Sequence, residues 1–488
     1  MEPKKDKIIL FLIFLLAFGF RLFFLFRTSF FSSDEAYFNF RNAKYILHNY
    51  IPLIYDPQSY GGNPILNTHV FHYFLAFFDI LFSDMVVYKI LPCFVASLIV
   101  IIIYYLVKEI TENDSAALFG ALLAAFIPTY IQSTLNQVSV LSLFIPLFLL
   151  TIYFFLDIRK KQKWFLYLSV ILILLDPLNL LMLFTLLIFG LLMLTHSFHL
   201  RIEEKEGMGL FLTFFILVNL ILYKSLYQEL GLATIWQNLP LELYGQVFQN
   251  FDLFTTIGII GVVPLVLGIV GLIVYKEKNR TILLLQAALL ADFSLLFLRL
   301  IPFLEGILFM AIIFCITASI AVDRFIQYLR ITKVARFEKL ILSLFIILSV
   351  VTLVIPSTLA ALDVIHTGIV QDEIDAMQWL KFNTPHSSVV LGNVYEGNLI
   401  IALADRTNVW DTQFFHAEDR ITDIKTIYTT ESIIKAKKAI DLYGIDYIYF
   451  SEKTKEFYDV DSLLYTSDEN CFKEVYTNAF ATIYQVVC

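Results

Sequence analysis

The sequence has few charged residues for its length. Asp, Glu, Lys and Arg together make up 16% of the 488 residues, whereas hydrophobic residues make up 59%. A typical soluble domain carries about 25% charged residues and fewer apolar ones. The mean hydropathy of +0.75 therefore excludes a soluble globular chain and predicts a polytopic membrane protein.

Cysteine is also scarce. Four cysteines are too few for a disulfide scaffold, and two of them, Cys93 and Cys315, fall in hydrophobic runs. Cys471 and Cys488 can pair across the last predicted hairpin if they face an oxidising space. The sequence also lacks an internal repeat, a Walker-type glycine loop and the residue spacing of a zinc site. We expect no nucleic-acid partner.

Long hydrophobic runs dominate the first three quarters of the chain. Because a membrane-spanning helix needs about 20 apolar residues, they predict about eleven transmembrane helices. We therefore expect a membrane domain over residues 1–357, with a long external loop at 27–84, and a soluble domain over 358–488. The predicted spans are 8–26, 85–107, 116–131, 138–156, 165–175, 178–194, 210–223, 254–275, 282–298, 303–322 and 340–355.

The basic residues set the predicted topology of a multi-pass plasma-membrane protein. The first run follows Lys4, Lys5 and Lys7 and reads as a retained anchor, so the N-terminus is predicted to be cytoplasmic. An odd number of spans then places the C-terminal domain outside, on the side of loop 27–84. This count requires two short helices joined at Pro177. It leaves three basic clusters in the cytoplasm: 159–163, 276–280 and 324–339.

The C-terminal tail alternates helical and strand patterns, which predicts a small α/β domain with a largely parallel sheet. Its last two strands read as an antiparallel pair at the edge. The predicted helices are 372–381, 396–404 and 431–442, and the predicted strands are 388–391, 445–450, 472–476 and 481–487.

Asp34 and Glu35 lie side by side just after the first span. Two carboxylates there can take a proton from an acceptor or hold a divalent cation beside a lipid-borne substrate. Ser-Ser-Asp-Glu is equally typical of a capped helix start. Tyr37, Phe38 and Phe40 are expected to press this loop against the membrane surface, where desolvation raises the pKa of a carboxyl group. This favours catalysis. Residues 71–82 are predicted to form an interfacial helix.

The run Glu35-Ala-Tyr-Phe-Asn-Phe-Arg41 resembles the Asp-Pro-Tyr-Phe-Asn-Tyr-Arg stretch of oligosaccharyltransferase catalytic subunits. Residues 54–64 resemble the continuation of the same loop. These are GT-C glycosyltransferases, which take sugars from polyprenyl-phosphate or polyprenyl-diphosphate carriers. The resemblance places Glu35 on the family's catalytic, metal-binding acid. Asp34 matches the Asp-Glu pair of relatives that transfer single sugars, such as protein O-mannosyltransferases and lipid A aminoarabinose transferases.

A second stretch, residues 376–385 with 388–391 and 403–406, is similar to the start of the oligosaccharyltransferase soluble domain. The sequon-recognising Trp-Trp-Asp-Tyr-Gly that follows in that family reads Asn393-Val-Tyr-Glu396-Gly397 here. Only the glycine is shared, which argues against protein N-glycosylation.

The resemblance also implies a second acidic motif in the external turn after the third span. Residues 132–137 hold that position and contain no carboxylate. Asn and Gln carbonyls hold a cation less firmly than carboxylates do. Transfer without a metal is therefore as well supported as transfer assisted by Mn²⁺ or Mg²⁺.

Arg299 ends a hydrophobic run on the external side, and the resembling family carries an arginine in the corresponding segment. It is predicted to bind the carrier phosphate. The alternatives are an arginine that reaches the lipid headgroups and an ion pair with Glu305. We expect Arg21, inside the first span, to reach the headgroups. Further predicted substrate contacts are Arg41, Asp56, His69, His72 and Glu396.

These observations predict an inverting GT-C glycosyltransferase with a polyprenyl-linked donor on the extracytoplasmic face. The acceptor would be a glycan, lipid or protein, with Asp34 or Glu35 as base. Two alternatives remain open. One is a protein N-oligosaccharyltransferase, and the other is a non-catalytic lipid-carrier transporter or assembly partner.

Overall fold

A computed structural model describes residues 3–65, 68–236, 239–248, 252–274, 279–333, 335–414 and 418–488. Part of the predicted basic cluster 276–280 lies outside these residues. The membrane part is helical, and its helices are α1 (Pro3–Leu25), α2 (Asp34–Asn49), α3 (Val70–Asp79), α4 (Leu91–Ser97), α5 (Ile99–Thr111), α6 (Asp114–Ala125), α7 (Pro128–Thr134), α8 (Leu141–Leu156), α9 (Ile158–Leu175), α10 (Leu180–Thr195), α11 (Ile202–Leu230), α12 (Tyr244–Val247), α13 (Leu253–Ile260), α14 (Val262–Val274), α15 (Arg280–Phe297), α16 (Phe303–Arg330) and α17 (Glu338–His366).

The helices follow the predicted hydrophobic runs. Within the described residues, seven helices are long and apolar enough to cross a membrane, or nine if the bent pairs α6–α7 and α13–α14 each form one span. The sequence predicts about eleven. The other two predicted runs are helical as well, but α8 has only 16 residues, and α9 includes the basic cluster 159–163. The chain is an integral, multi-pass membrane protein.

The predicted break at Pro177 is real. Helix α9 ends at Leu175, and a 3₁₀ turn over Pro177–Asn179 leads into α10. Asp176 caps this turn, because its carboxylate accepts a hydrogen bond of 2.8 Å from the main-chain N–H of Leu178. The proline is tolerated because a first helical position needs no amide donor.

The C-terminal part is an α/β domain with a five-stranded sheet in the order β4-β3-β5-β7-β6. Strands β3, β4 and β5 are parallel, and β6 and β7 form the predicted antiparallel pair at one edge. Helix α17 runs past residue 357 to His366 before this domain begins. The elements are α18 (Gln371–Asn383), β3 (Val389–Leu391), α19 (Gly397–Leu399), β4 (Thr407–Asn408), α20 (Glu418–Thr429), α21 (Ile433–Tyr443), β5 (Tyr447–Ser451), α22 (Glu452–Tyr458), β6 (Phe472–Thr477) and β7 (Ala481–Val486).

A disulfide ties the end of the chain to the sheet. Cys471 and Cys488 are bonded across the β6–β7 pair. Cys93 and Cys315 are free and buried, as their place in hydrophobic runs predicts. The disulfide fits an oxidising environment for the C-terminal domain.

Loop 27–84 packs directly on the C-terminal domain. Its short hairpin, β1 (Tyr55–Asp56) with β2 (Asn63–Pro64), encloses a turn that bonds across to the domain. Ser59 donates a hydrogen bond of 2.7 Å to the carboxylate of Asp411, and the main-chain N–H of Tyr60 donates one of 2.9 Å to Asn408. Loop 27–84 and the C-terminal domain therefore lie on the same side of the membrane part.

Arg21 was expected to reach the lipid headgroups, but its side chain points into the helix bundle. Its side chain is buried, donates a hydrogen bond of 2.7 Å to Thr134 and lies over the ring of Tyr130. The prediction was wrong because the bent pair α6–α7 offers a hydroxyl and an aromatic face inside the bundle. These contacts hold the charge there, as cation–π and hydrogen-bond contacts can.

Candidate active site

The acidic pair occupies the first turn of helix α2. Ser33 caps this helix, because its hydroxyl accepts a hydrogen bond of 3.3 Å from the main-chain N–H of Ala36. The capped-helix interpretation of Ser-Ser-Asp-Glu is therefore confirmed, and a catalytic role of the acid pair stays a prediction. Asp34 and Glu35 sit at the positive end of the helix dipole, which stabilises carboxylates.

Asp34 is buried against the C-terminal domain. One carboxylate oxygen accepts hydrogen bonds from the side-chain and main-chain nitrogens of Asn398, at 2.7 and 3.3 Å. The other accepts one of 2.7 Å from the main-chain N–H of Leu399. Burial raises the pKa of Asp34 to about 7, although these hydrogen bonds act in the opposite direction. Asp34 thus joins the external loop to the start of α19.

Glu35 is in a different environment. Its side chain is exposed, yet desolvation by the surrounding protein raises its pKa above the ordinary value. The side chain is therefore accessible, while its carboxyl group lies close to surrounding protein atoms. Asn39, one turn along α2, hydrogen-bonds the Glu35 carboxyl and opposes this rise. Of the two acids, Glu35 is the one that a substrate can reach.

A chain of hydrogen bonds leads from Glu35 to helix α3. The amide nitrogen of Asn39 donates to the carbonyl of Val138 at 3.2 Å, so the amide oxygen faces His72 Nε2 at 2.8 Å. His72 must therefore be protonated at Nε2, which leaves its Nδ1 as acceptor for His69 Nδ1 at 3.2 Å. Burial lowers the pKa of His72 to about 3 and also lowers the pKa of His69. Both imidazoles are neutral, and His69 keeps Nε2 as a hydrogen-bond acceptor.

Two further carboxyl groups lie near Glu35. The charge of Glu35 contributes to raising the pKa of Asp176 to about 7, after the larger effect of burial. Glu305, in the first turn of α16, is within electrostatic reach of both. We call the space around Glu35, Asp176 and Glu305 the acidic recess. Sequence reasoning did not predict Asp176 and Glu305 as site residues. The one feature that could have indicated them is a carboxyl group at the end of a hydrophobic run.

Residues 132–137 hold the position in which the resemblance implies a second acidic motif. Asn136 of this turn bonds to the segment just before Asp34 and Glu35. Asn136 donates hydrogen bonds of 2.7 Å to the carbonyl of Phe30 and the hydroxyl of Ser32. Asn136 and Val138 both have positive φ, 58° and 48°, a strained conformation for a β-branched residue such as valine. The surrounding hydrogen bonds hold this strain and place the Val138 carbonyl against Asn39.

Arg41 and Asp56 pair with each other. The Arg41 guanidinium binds the Asp56 carboxylate through two nitrogens and also Gln58 at 2.9 Å. Gln58 in turn donates a hydrogen bond of 2.8 Å to Asp405. These two predicted substrate contacts therefore support the docked loop, and their contact with substrate remains a prediction.

Glu396 is enclosed within the C-terminal domain. Its side chain is fully buried, with 0% exposure. The carboxylate accepts hydrogen bonds from the main-chain N–H of Asn393 and the hydroxyls of Ser451 and Thr454. A carboxylate enclosed in this way stabilises the packing of the C-terminal domain and offers no oxygen to a substrate.

Arg299 is exposed at the end of α15. It has a positive φ of 54°, and its guanidinium lies 5.9 Å from the ring centre of Tyr244. Among the described residues no ion pair joins it to Glu305 or to another acid. Its guanidinium donors are therefore accessible to an anionic ligand.

The residues present do not form a ready-made metal site. No group of three His, Cys, Asp or Glu side chains within the described ranges is arranged to hold a metal ion. Asp34 already uses both oxygens, and the three acids of the recess interact through their charges only. We therefore derive no catalytic step through a metal.

The recess opens beside an apolar helix. α3 carries His69 and His72 at its start, and its other face exposes large hydrophobic side chains. Phe77 is 59% exposed and Ile80, just after the helix, is 68% exposed. A ten-residue helix is too short to span a bilayer, and its exposed apolar face fits the predicted position along the membrane interface. At that position, a ligand anchored in lipid would be within reach of the acidic recess.

Comparisons with known proteins agree with this architecture. Residues 67–223 match the family of dolichyl-phosphate-mannose-protein mannosyltransferases, a segment with His69, His72 and Asp176 but not the acid pair. Archaeal oligosaccharyltransferase AglB from Archaeoglobus fulgidus, solved with an inhibitory peptide and a dolichol-phosphate, superposes with a TM-score of 0.67 at 14% identity over 92% of this chain and 70% of its own.

A second solved structure matches over nearly its whole length. ArnT from Cupriavidus metallidurans, bound to undecaprenyl phosphate, has a TM-score of 0.63 at 12% identity over 99% of this chain and 98% of its own. No curated protein sequence matches the chain. The predicted GT-C fold is confirmed: the chain has the fold of these membrane enzymes, with a helical membrane part and a C-terminal α/β domain.

Proposed function

We propose that the protein transfers a sugar or glycan from a polyprenyl-phosphate or polyprenyl-diphosphate carrier to an acceptor on the extracytoplasmic face. One observation carries this proposal: Glu35 is an exposed carboxyl group with a raised pKa in a recess beside the interfacial helix α3. A general base works best when its pKa approaches the working pH. Solved structures with this fold hold dolichol-phosphate or undecaprenyl phosphate, which supports a lipid-linked donor.

In this mechanism Glu35 is the base. It accepts the proton of the acceptor hydroxyl or amide as the acceptor atom forms a bond to the anomeric carbon. The bond from that carbon to the phosphate oxygen breaks, and the phosphate leaves with the electron pair. Because attack and departure are in line, the anomeric configuration inverts. A phosphate needs little acid assistance to leave, so one base suffices.

The other residues position this chemistry. Asn39 bonds the Glu35 carboxyl group and fixes its direction, while Asp34 holds the C-terminal domain against the loop. His69 offers Nε2 to a hydroxyl group of the sugar or acceptor. Arg299 neutralises the charge that develops on the leaving phosphate, as guanidinium groups do in paired hydrogen bonds.

The test is transfer by purified protein from a panel of polyprenyl-phosphate-linked sugars, with the anomeric configuration of the product read by NMR. Transfer or donor hydrolysis with an inverted anomer supports the proposal. Tight carrier binding without turnover of any donor would favour the transporter or assembly-partner alternative. Parallel reactions with EDTA, Mn²⁺ or Mg²⁺ distinguish metal-assisted transfer from transfer without a metal. We expect turnover to persist in EDTA.

A sequon peptide is the informative second acceptor. The segment that corresponds to the family's sequon-recognising motif lacks the tryptophans and the aspartate, and Glu396 within it is enclosed. We therefore expect no glycosylation of asparagine in such a peptide. Modified peptide would show that the protein is an N-oligosaccharyltransferase.

A further inference from the structure

A cavity of about 410 Å³ lies at the end of the bundle remote from Glu35. Helix α10 begins at Leu180, four residues after Asp176 of the acidic recess, and ends at Thr195, so its 16 residues span roughly 24 Å. Helix α15 runs the other way, from this cavity to Arg299. We call it the end cavity; its lining includes Phe155, Leu156, Phe189, Arg201, Glu204 and Arg280.

The end cavity carries excess positive charge. Glu204 is buried and ion-paired with Arg280, whose guanidinium donates hydrogen bonds of 2.9 and 3.0 Å to its two oxygens. Arg201 approaches the same carboxylate only at 3.9 Å. Glu204 therefore faces two arginines, Arg201 and Arg280. Among the described residues, the guanidinium of Arg201 donates no hydrogen bond.

The backbone adds donors on the same side. Helix α11 begins directly after Arg201 and α15 directly after Asn279, and both residues line the end cavity. Two helix N-termini bring positive dipole ends and amide groups toward one point. Other lining residues are apolar and include Phe155, Phe189 and Leu284.

We propose that the end cavity binds the phosphate group of an acidic phospholipid, with Arg201 as the main contact. A phosphodiester takes bidentate hydrogen bonds from a guanidinium, and the apolar wall accommodates the adjoining glycerol and acyl carbons. A zwitterionic headgroup fits less well because its ammonium group would meet Arg280. The predicted topology makes this the cytoplasmic leaflet. The proposal is independent of the catalytic function.

Native mass spectrometry of the full-length protein tests the proposal. Phosphatidylglycerol, phosphatidylcholine or sodium phosphate is added to delipidated protein, and retained ligand is measured for the wild type, Arg201→Gln and Arg336→Gln. Arg336 is the matched control, since it is exposed in the connection between α16 and α17, at the same end of the bundle but outside the cavity. Arg201→Lys preserves the charge and provides a second variant.

We expect the wild type to retain phosphatidylglycerol in preference to phosphatidylcholine. Arg201→Gln should weaken retention about tenfold or more, the size expected for hydrogen bonds to a charged group, while Arg336→Gln should leave it unchanged. Equal retention by the wild type and Arg201→Gln, or an equal loss in Arg336→Gln, would overturn the proposal. Sodium phosphate bound as tightly as the lipid, and lost in Arg201→Gln, would overturn the lipid as the source of the phosphate.

Discussion

The carboxylate of Asp34 is bonded to Asn398, 364 residues further along the chain, through both the side-chain and the main-chain nitrogen. Asp34 precedes the exposed Glu35, and Asn398 lies in helix α19 of the C-terminal domain. The contact therefore sets where that domain lies relative to the proposed base. In the proposed mechanism Asp34 acts through position, whereas Glu35 meets the substrate.

The first prediction concerns this contact. Replacing Asn398 with Ala removes a donor of 2.7 Å from a buried carboxylate, which costs about 1–3 kcal/mol of unfolding free energy. We expect a lower thermal midpoint and reduced turnover. In the Asp34→Asn background the same substitution should cost less, because the charged acceptor is gone. The measurement is a double-mutant cycle by thermal unfolding.

The control for that cycle is Asn470→Ala. Asn470 is an exposed asparagine of the same domain, bonded only to the neighbouring Asp468 among the described residues. It should leave both stability and turnover near the wild-type values. Additive losses from Asp34→Asn and Asn398→Ala would contradict the coupling.

The second prediction is the pH dependence of transfer. Glu35 must be ionised to accept a proton, and burial raises its pKa above the ordinary 4.5. The rate should therefore fall as the pH drops through this elevated pKa. His72, with a pKa of about 3, stays neutral and should add no inflection near 6.5. The measurement is kcat/KM from pH 4 to 9.

Asn39→Ala provides the diagnostic shift in that profile. It removes the hydrogen bond that lowers the pKa of Glu35, so the acidic limb should move to higher pH. A limb that does not move, or one that lies in the ordinary glutamate range, would argue against Glu35 as the titrating base.

The third prediction concerns Arg299. If its guanidinium binds the carrier phosphate, Arg299→Gln should raise KM for the donor or lower kcat/KM by about 10- to 100-fold, the effect of losing hydrogen bonds to a charged group. Arg299→Lys should recover only part of this, since an ammonium group lacks the bidentate fork. The acceptor KM should change little. Equal kinetics for wild type and Arg299→Gln would remove Arg299 from the site.

The fourth prediction tests the side of the membrane on which the C-terminal domain lies. Cys471 and Cys488 are disulfide-bonded, and Cys93 and Cys315 are buried free thiols. When membranes are denatured without prior alkylation, a maleimide polymer should label two cysteines before reduction and four after it. Four labelled thiols without reduction would indicate a reducing compartment and contradict the extracytoplasmic placement.

Much of the architecture could be predicted because hydrophobic length and periodicity are local properties of the sequence. Within the described residues the eleven runs are mostly helical, and the antiparallel pair β6–β7 lies at the sheet edge as expected. The span count by length and composition differs because α8 is short and α9 begins with charged residues. Where a helix begins and ends depends on how neighbouring helices pack against it. The hydrophobic pattern of one segment does not predict that packing.

The site could be predicted only in part, for a similar reason. The acid pair was recognisable from its motif and its place after a span. Asp34 and Glu35 have different environments because Asn398 bonds to Asp34, whereas Glu35 stays exposed. No sequence pattern predicts that contact. The nearness of Asp176 and Glu305 to Glu35 is likewise a product of helix packing, and so is the burial of Glu396.

The most direct test of the account is single-turnover transfer by Glu35→Gln, with donor binding measured in parallel. The amide keeps the shape of the side chain but cannot accept the proton, so the chemical step should slow by about 10²–10⁴-fold, while the donor Kd stays near the wild-type value. The matched variant Asp34→Asn should fold less stably yet retain more of the chemical rate. Transfer by Glu35→Gln at the wild-type rate would contradict the assignment of Glu35 as the base.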